Sequence, residues 1–580
     1  MRALFPLHLA CTLLVAACGT AALAPSPPQS ADARFAAHAA AVLEEMWEEF
    51  PEFAVRNGNY KHAHRMTVPD AARRARSMAF YQRQLAALAA HDPAALSASN
   101  RVDMALMKNR FERGLWQLGT FKAWQWDPSM YNVGGDFDVL MTTEFAPLDA
   151  RLRIVLARLQ NVPAYYAAAR ANLADPTPEH IELGVRQNKG ALTVFGPVLL
   201  AKVDASGLSA EEKALFKRRV DAANAAIDGY VAHLATLKGT RSFRIGPELY
   251  QQKFAYEIQS GFSAQELYRR ALAEKAALHD AMEKRARESW PKYLGSTPMP
   301  ADRLVMIRQV MDEMAKRHAD PARFVEVVRG QIPQLEAFVR EKDLVDQDPS
   351  RPLVVRETPL YMRGVAGASI SAPGPLNPTA HTFYNVTPLD GSSPEDAESF
   401  LREYNDWTLQ ILNIHEAIPG HYTQLMHANK SPSLVKAVFA NGSMIEGWAV
   451  FGEKVMLDAG YDGGSPEIWL AWMKWNLRTV MNTILDYEIQ TGNLQREAAM
   501  RLMTREAFQQ EAEATEKWRR ATLTQVQLTS YFNGYAEITA LRDEMRAREG
   551  PAFSVKGFNN RFLSYGNAPV KMIRELMLGR

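Results

Sequence analysis

The sequence predicts a mainly α-helical protein, a large helical fold with a small β element just before its most informative helix. Three observations carry that reading. Apolar residues recur at 3- and 4-residue steps along most of the chain. Segments rich in Ala, Leu, Glu and Arg, all good helix formers, recur near 70–95, 101–120, 147–174, 209–238, 263–288, 300–318 and 321–342. Strand-like runs are few, the best being 353–356 and 382–386.

Taken in order, residues 31–56 open the helical part with Phe35, Val42, Leu43, Met46 and Phe50 at helical spacing. Ser263 and Glu266 resemble a capping box, and Ser393-Pro394-Glu395-Asp396 reads as another helix start. Pro and Gly cluster in 364–391 and separate a long helical part from a motif-bearing part. With no internal repeat and no composition shift, 31–580 reads as one large domain. Tyr404, Trp407, Ile411, Ile414 and Ile418 form the buried stripe of one amphipathic helix. Trp469, Trp472 and Trp475, at i, i+3 spacing, read as core, as do Met444, Ile445, Phe451 and Val455.

Composition excludes several classes. Of 580 residues, 47% are hydrophobic and 23% charged, which rules out a disordered or multi-span membrane chain. A net charge of +2 gives no electrostatic case for nucleic acid as a partner. The only cysteines are Cys11 and Cys18, so the body has no disulfide framework and no thiol nucleophile.

Those cysteines lie in a leader. Arg2 precedes a mostly apolar run, 3–17, too short for an ordinary membrane span and matching a secretory signal. Val15-Ala16-Ala17-Cys18 resembles the lipobox of bacterial lipoproteins, which implies a signal peptide over 1–17 and lipidation of Cys18. Residues 18–30 then form a lipidated, flexible tether. Gly19 rather than Asp after the Cys points to the outer membrane, facing the periplasm. The alternative is a plain signal peptide cut after Ala24.

Chemistry concentrates in 401–458. His415-Glu416-Ala417-Ile418-Pro419-Gly420-His421 is a stretched form of the zinc-protease motif, in which two His at i and i+4 flank a catalytic Glu. Here Pro419 holds the i+4 place. Six residues of regular helix turn the chain by about 600°, which leaves His421 far round from His415. Pro419 removes a donor and clashes with the preceding turn, and Gly420 tolerates unusual backbone angles. The helix should therefore break and swing His421 back. Glu446, in Ser443-Met444-Ile445-Glu446-Gly447-Trp448-Ala449, fits a third ligand, or else closes a Ser443-x-x-Glu446 capping box. Glu453 shares its helix face and reads as a residue supporting the ligands. His427 and His381 read as structural or surface residues. Arg478, Lys517, Arg519 and Arg520 either face a substrate carboxylate or form a solvated helix face.

His415-Glu416-x-x-Pro419-Gly420-His421-x-x-Gln424 with Glu446-Gly447-Trp448-Ala449 resembles the bacterial domain-of-unknown-function family 885, similar in fold to thimet-oligopeptidase-like (Glu-zincin) zinc peptidases. Gly246-Pro247-Glu248-Leu249-Tyr250, the helix after Ser263 and Phe383-Tyr384-Asn385 extend the likeness over most of the chain. The resemblance implies His415, His421 and Glu446 as ligands of Zn²⁺ and Glu416 as general base. The family's Pro-Gly-Gln…Ser-Tyr-x-x-Gly segment is matched by Gln527, Ser530, Tyr531 and Gly534, with Gln525-Val526 in place of Pro-Gly. Tyr531 would then donate to the oxyanion, with Tyr535 as fallback. The family also favours Asp-x-x-x-His; here Asp486 is present as a supporting residue, but Gln490 replaces the His. The implied activity is a metallopeptidase hydrolysing short peptides in the cell envelope by metal-activated water. The alternative is a non-catalytic envelope lipoprotein on the same scaffold.

Overall fold

The computed structural model describes residues 30–348, 350–358, 367–377 and 381–579. The leader, with Cys11 and Cys18, lies outside the described residues. Among the described residues the fold is mainly α, with 71% helix and 3% strand, the latter in one three-stranded sheet.

Side-chain oxygens set many helix starts. The first four N–H groups of a helix have no partner in the helix, and a Ser or Asp just before it can take one. Ser30 caps Ala31–Glu49, Asp70 caps Ala71–Leu88, Ser97 caps Ala98–Trp116 and Ser393 caps Pro394–Glu403. Ser263 caps Ala264–Leu294 through the Glu266 N–H; the fully reciprocal capping box sits at Ser209 and Glu212 instead. Proline breaks some of the longer expected helices. The opening one stops at Glu49 because Pro51, which lacks an N–H, starts a second helix, Pro51–Arg56. Short helices such as Pro178–Ala191 and Gly246–Glu257 escaped the periodicity reading.

The apolar interior gathers into two main clusters. One lies among helices between Tyr131 and Leu234 and is built on Phe137, Tyr166, Phe216 and Tyr230. The larger one runs from Phe35 to Leu578 and includes most of the motif-bearing part.

Strands β1 (Leu353–Glu357), β2 (Ala368–Ser371) and β3 (Thr382–Val386) lie in the order β1-β3-β2. β1 runs parallel to β3 with Val355 opposite Tyr384, and β2 runs antiparallel to it. β2 falls in the Pro/Gly-rich stretch, so its sequence gave no strand signal. The sheet is fastened to the motif helix, Thr408–Glu416, by one buried contact. Tyr384 donates its hydroxyl to Asn413 Oδ1 at 2.7 Å, and Asn413 donates to Gln331 at 2.6 Å.

The motif helix is shorter than the stripe implied. Tyr404 ends the preceding helix, and Trp407 is the residue before the first turn. Asn405 makes the break by accepting from the N–H groups of Trp407 and Thr408. Ile418 lies past the helix end.

Two further helices meet where neither has a side chain. Gly442–Asp458, which carries Glu446, crosses Ser530–Glu549, which carries Tyr531. A Cβ on Gly534 would lie 1.9 Å from the Ser443 carbonyl oxygen, and one on Gly447 would lie 2.3 Å from Gly534. Ser443 Oγ donates to the Ser530 carbonyl at 3.0 Å and accepts from Asn533 at 3.0 Å, locking the register. Gly534→Ala therefore forces the helices apart and should cost about 3 kcal/mol. Gly330→Ala, on a helix with open space around it, should be neutral or stabilising by up to about 1 kcal/mol. Thermal unfolding of the two variants tests this; equal melting temperatures would show the crossing to be looser than described.

Candidate metal centre

The helix ends at Glu416, and Ala417 leaves helical geometry at φ −109°, ψ −88°. The Ile418–Pro419 peptide is cis. Gly420 then lies against the end of the helix and donates its N–H to the Ile414 carbonyl at 3.0 Å. A Cβ at 420 would sit 1.9 Å from the His415 oxygen and 2.4 Å from that of Ile414, so this approach requires glycine. Trp448 Nε1 donates to the Pro419 carbonyl at 2.8 Å and holds the break against the Glu446 helix. A new helix, His421–Ala428, starts at once, and Gln424 in it is buried and bonded to Asn567.

The break returns His421 to His415. The two rings stand nearly perpendicular, with centroids 4.8 Å apart. Glu446 Oε2 lies 3.4 Å from His421 Nε2 and 3.8 Å from His415 Nε2. One ligand atom from each of the three falls within 4.8 Å of the others. Zinc bonds near 2.0–2.1 Å in a tetrahedron place ligand atoms roughly 3.3 Å apart, so these residues fit the ion after small adjustments. Glu446 is not closing a capping box. Asn441 caps that helix through the Met444 N–H, and Ser443 is occupied at the helix crossing.

Electrostatics set the protonation states. Glu453 is fully buried and takes a 2.7 Å hydrogen bond from His415 Nδ1 and a 3.1 Å bond from Trp475 Nε1. Burial raises the Glu453 pKa well above the usual carboxylate range, and with the His415 proton on Nδ1 this contact would leave Nε2 free for a metal. Burial, followed by the neighbouring His421, pulls the His415 pKa down to about 3, so its ring is neutral. Burial lowers His421 too, but its contact with Glu446 outweighs this and raises it. Burial raises Glu446, but His421 outweighs that and holds it low. Glu416 is pushed up to about 7, first by burial and then by Glu446 against the pull of His421.

The centre opens on a cleft of about 330 Å³ lined by His415, Glu416, Trp475, Arg478, Lys517, Arg520 and Tyr531. Trp475 is a functional residue that the sequence placed in the core, since its spacing gave no hint that its indole would hold Glu453. Burial raises the Tyr531 pKa, and Arg520 lies 3.4 Å from its hydroxyl. Tyr535 is buried among other charges, chiefly Glu274, Arg542 and Asp458. His427 bonds the Asp346 carbonyl, and exposed His381 borders a separate cleft of about 700 Å³ beside Asp138 and Phe383.

The chain matches the model of a bacterial family of unknown function, DUF885, over residues 51–577. It belongs to that family. A solved structure from Shewanella oneidensis, described as a candidate lipoprotein of unknown function, is 51% identical, with a TM-score of 0.85 over 94% of this chain and 99% of that one. Another, a candidate lipoprotein from Colwellia psychrerythraea, shares the fold at 15% identity, with a TM-score of 0.76 over 95% and 99% of the two chains. No curated protein matches. Among the described residues no helix is long and apolar enough to cross a membrane. With the Shewanella relative, this fits an envelope-associated lipoprotein.

Gln490, which departs from the expected Asp-x-x-x-His segment, and Asp486, which keeps it, both acquire structural meaning. Gln490 lies away from the three ligands. Its amide donates to the Ala521 carbonyl at 2.8 Å and accepts from the Ile245 N–H at 3.4 Å, joining three segments. Asp486, expected to support the ligands, instead accepts from Tyr250 at 3.2 Å.

Zinc at about one ion per chain should bind the purified protein, and His421→Ala or Glu446→Gln should abolish it. Elemental analysis with a zinc-dependent rise in melting temperature reads this. Asp486 gives an independent pH signature. Burial pushes its pKa up to about 8. The folded chain then holds a proton that the unfolded chain loses near pH 4, so this group makes stability fall as pH rises from about 4 to 8. Asp486→Asn removes that slope, and its gain over wild type should grow from pH 5 to pH 8 to roughly 3 kcal/mol. A pH-independent difference would contradict it.

Proposed function

We propose that this protein is a zinc-dependent peptidase of the bacterial cell envelope, acting on short peptides. The observation that supports it most is the meeting of His415, His421 and Glu446 beside Glu416 at the wall of a cleft. A zinc ion bound there would supply Lewis acidity and an open coordination position. Glu416, with a pKa near neutrality, is suited to take a proton from water and return it to the leaving amine. Tyr531 is placed to donate a hydrogen bond to the developing oxyanion, with Arg520 keeping its hydroxyl oriented. Glu453 keeps the His415 tautomer fixed throughout. The order of these residues is similar to that of thimet-oligopeptidase-like enzymes, and that kinship belongs to this proposal. So does anchorage at the outer membrane through lipid on Cys18, facing the periplasm; a Cys18→Ala chain that still fractionates with membranes would refute it.

The other reading, a non-catalytic lipoprotein on the same scaffold, draws on the stretched motif and on Gln490. That residue now has a structural task away from the cleft, so it no longer speaks against activity.

Glu416→Gln should retain zinc and fold while losing peptide turnover by about 10²–10⁴-fold. Tyr531→Phe should lower kcat by about 10²-fold with little change in zinc content. A mixed peptide library with mass-spectrometric readout measures both. Wild-type protein holding stoichiometric zinc but cleaving nothing would favour the non-catalytic reading.

A further inference from the structure

The cleft beside the metal centre is lined by three basic side chains, Arg478, Lys517 and Arg520, together with Glu416. Of these, Arg478 pairs with Glu513 at 2.5 Å. Two cations lining the same space remain. Arg520 reaches Gln527 at 2.7 Å and Tyr531 at 3.4 Å but meets no carboxylate at ion-pair distance. Lys517 is only 6% exposed, lines the cleft, and among the described residues its ammonium has neither a hydrogen bond nor an ion pair. A buried, unpaired ammonium is costly, and proteins retain one where something fills the gap. Arg519, next in sequence to Arg520, turns the other way and pairs with Glu182 outside the cleft, whereas Arg520, though exposed, lines it.

We infer that Lys517 and Arg520 form an anion subsite that receives the free C-terminal carboxylate of a peptide lying across the cleft. The inference rests on the peptidase reading and narrows it, since cleavage would then fall near the peptide's C-terminal end. The cleft is small, which suits a chain end better than the middle of an extended polypeptide. Burial and then Arg478, against the pull of Glu513, hold the Lys517 pKa well below its usual value, and a second carboxylate placed on it would favour the charged form further. Arg520, in contact with Tyr531, would tie the position of that carboxylate to the residue assigned to the oxyanion.

The test compares ligands, so it does not depend on any variant folding. Zinc-loaded Glu416→Gln protein is titrated calorimetrically with an N-acetyl dipeptide as free acid, the same dipeptide as C-terminal amide, and an amide carrying a Glu side chain. The free acid should bind about 10-fold or more tightly than its amide, the worth of a charge-assisted hydrogen bond. That preference should collapse in Lys517→Met and largely survive in Lys517→Arg, which separates the subsite from simple attraction of carboxylate to zinc. Equal binding of acid and amide overturns the inference. Binding of the Glu-bearing amide as tightly as the free acid overturns the assignment to the chain terminus. Turnover by wild-type protein separates the two readings. Cleavage of acid and amide at equal kcat/KM sinks the subsite and leaves the peptidase. Preferential binding of the acid with no cleavage sinks the peptidase and leaves the subsite.

Discussion

The centre depends on one close approach. Gly420 lies on the carbonyl oxygens of Ile414 and His415 at a distance that no side chain allows. That contact ends the motif helix, lets the next one begin immediately, and brings His421 beside His415. Any other residue at 420 would push the second helix off the first. The ring separation and the approach of both imidazoles to Glu446 would go with it. Trp448 secures the same break from the opposite side by holding the Pro419 carbonyl. Because Trp448 and Glu446 share a helix, the bond that fixes the break also positions the third candidate ligand.

The second constraint is burial of charge. Glu453 sits at zero exposure, where burial raises its pKa well above the usual carboxylate range and a carboxyl group is costly unless hydrogen-bonded. It has two donors, His415 and Trp475, on two other helices. Three helices are thereby held at one point by directional bonds as well as by apolar packing. Such a point is rigid, and it lies inside the larger apolar cluster rather than on surface loops. Residues that must hold a fixed geometry are thus carried on the stiffest part of the fold.

Legibility in the sequence followed the range of the interaction. The helical character and the residues of the stretched motif were readable because they rest on local spacing and local chemistry. The limits of the motif helix were not, because Asn405 breaks a stripe that periodicity alone continues through Tyr404 and Trp407. β2 was hidden because its residues take strand form only by pairing with β3. Trp475 was read as core because it follows Trp469 and Trp472 at i, i+3 spacing; only the partner of its indole N–H, which lies on another helix, reveals its role. Lys517 was weighed as one of several basic residues, since sequence cannot tell a buried ammonium from a solvated one. Asp486 was misplaced for a related reason. Its position on Pro466–Thr491 is right for a buried acid, but that helix is long, and its partner at this level is Tyr250.

Val526 shows how strongly the surrounding structure outweighs local preference. It is a β-branched residue at φ +73°, a region such residues rarely adopt, and it stands where the DUF885 pattern carries glycine. The turn is nonetheless formed. Val526 is fully buried, its carbonyl accepts from the Thr529 hydroxyl at 2.6 Å, and Gln527 beside it holds Arg520. Burying the Val side chain offsets part of the backbone cost, and the hydrogen bonds fix the rest of the turn. The turn opens directly into the helix bearing Tyr531, whose register is set by the Gly447–Gly534 crossing. A relaxed turn at 526 would therefore conflict with a crossing that allows almost no movement. The hydrogen bonds around Val526, rather than its local preference, keep Gln527 beside Arg520 at the cleft.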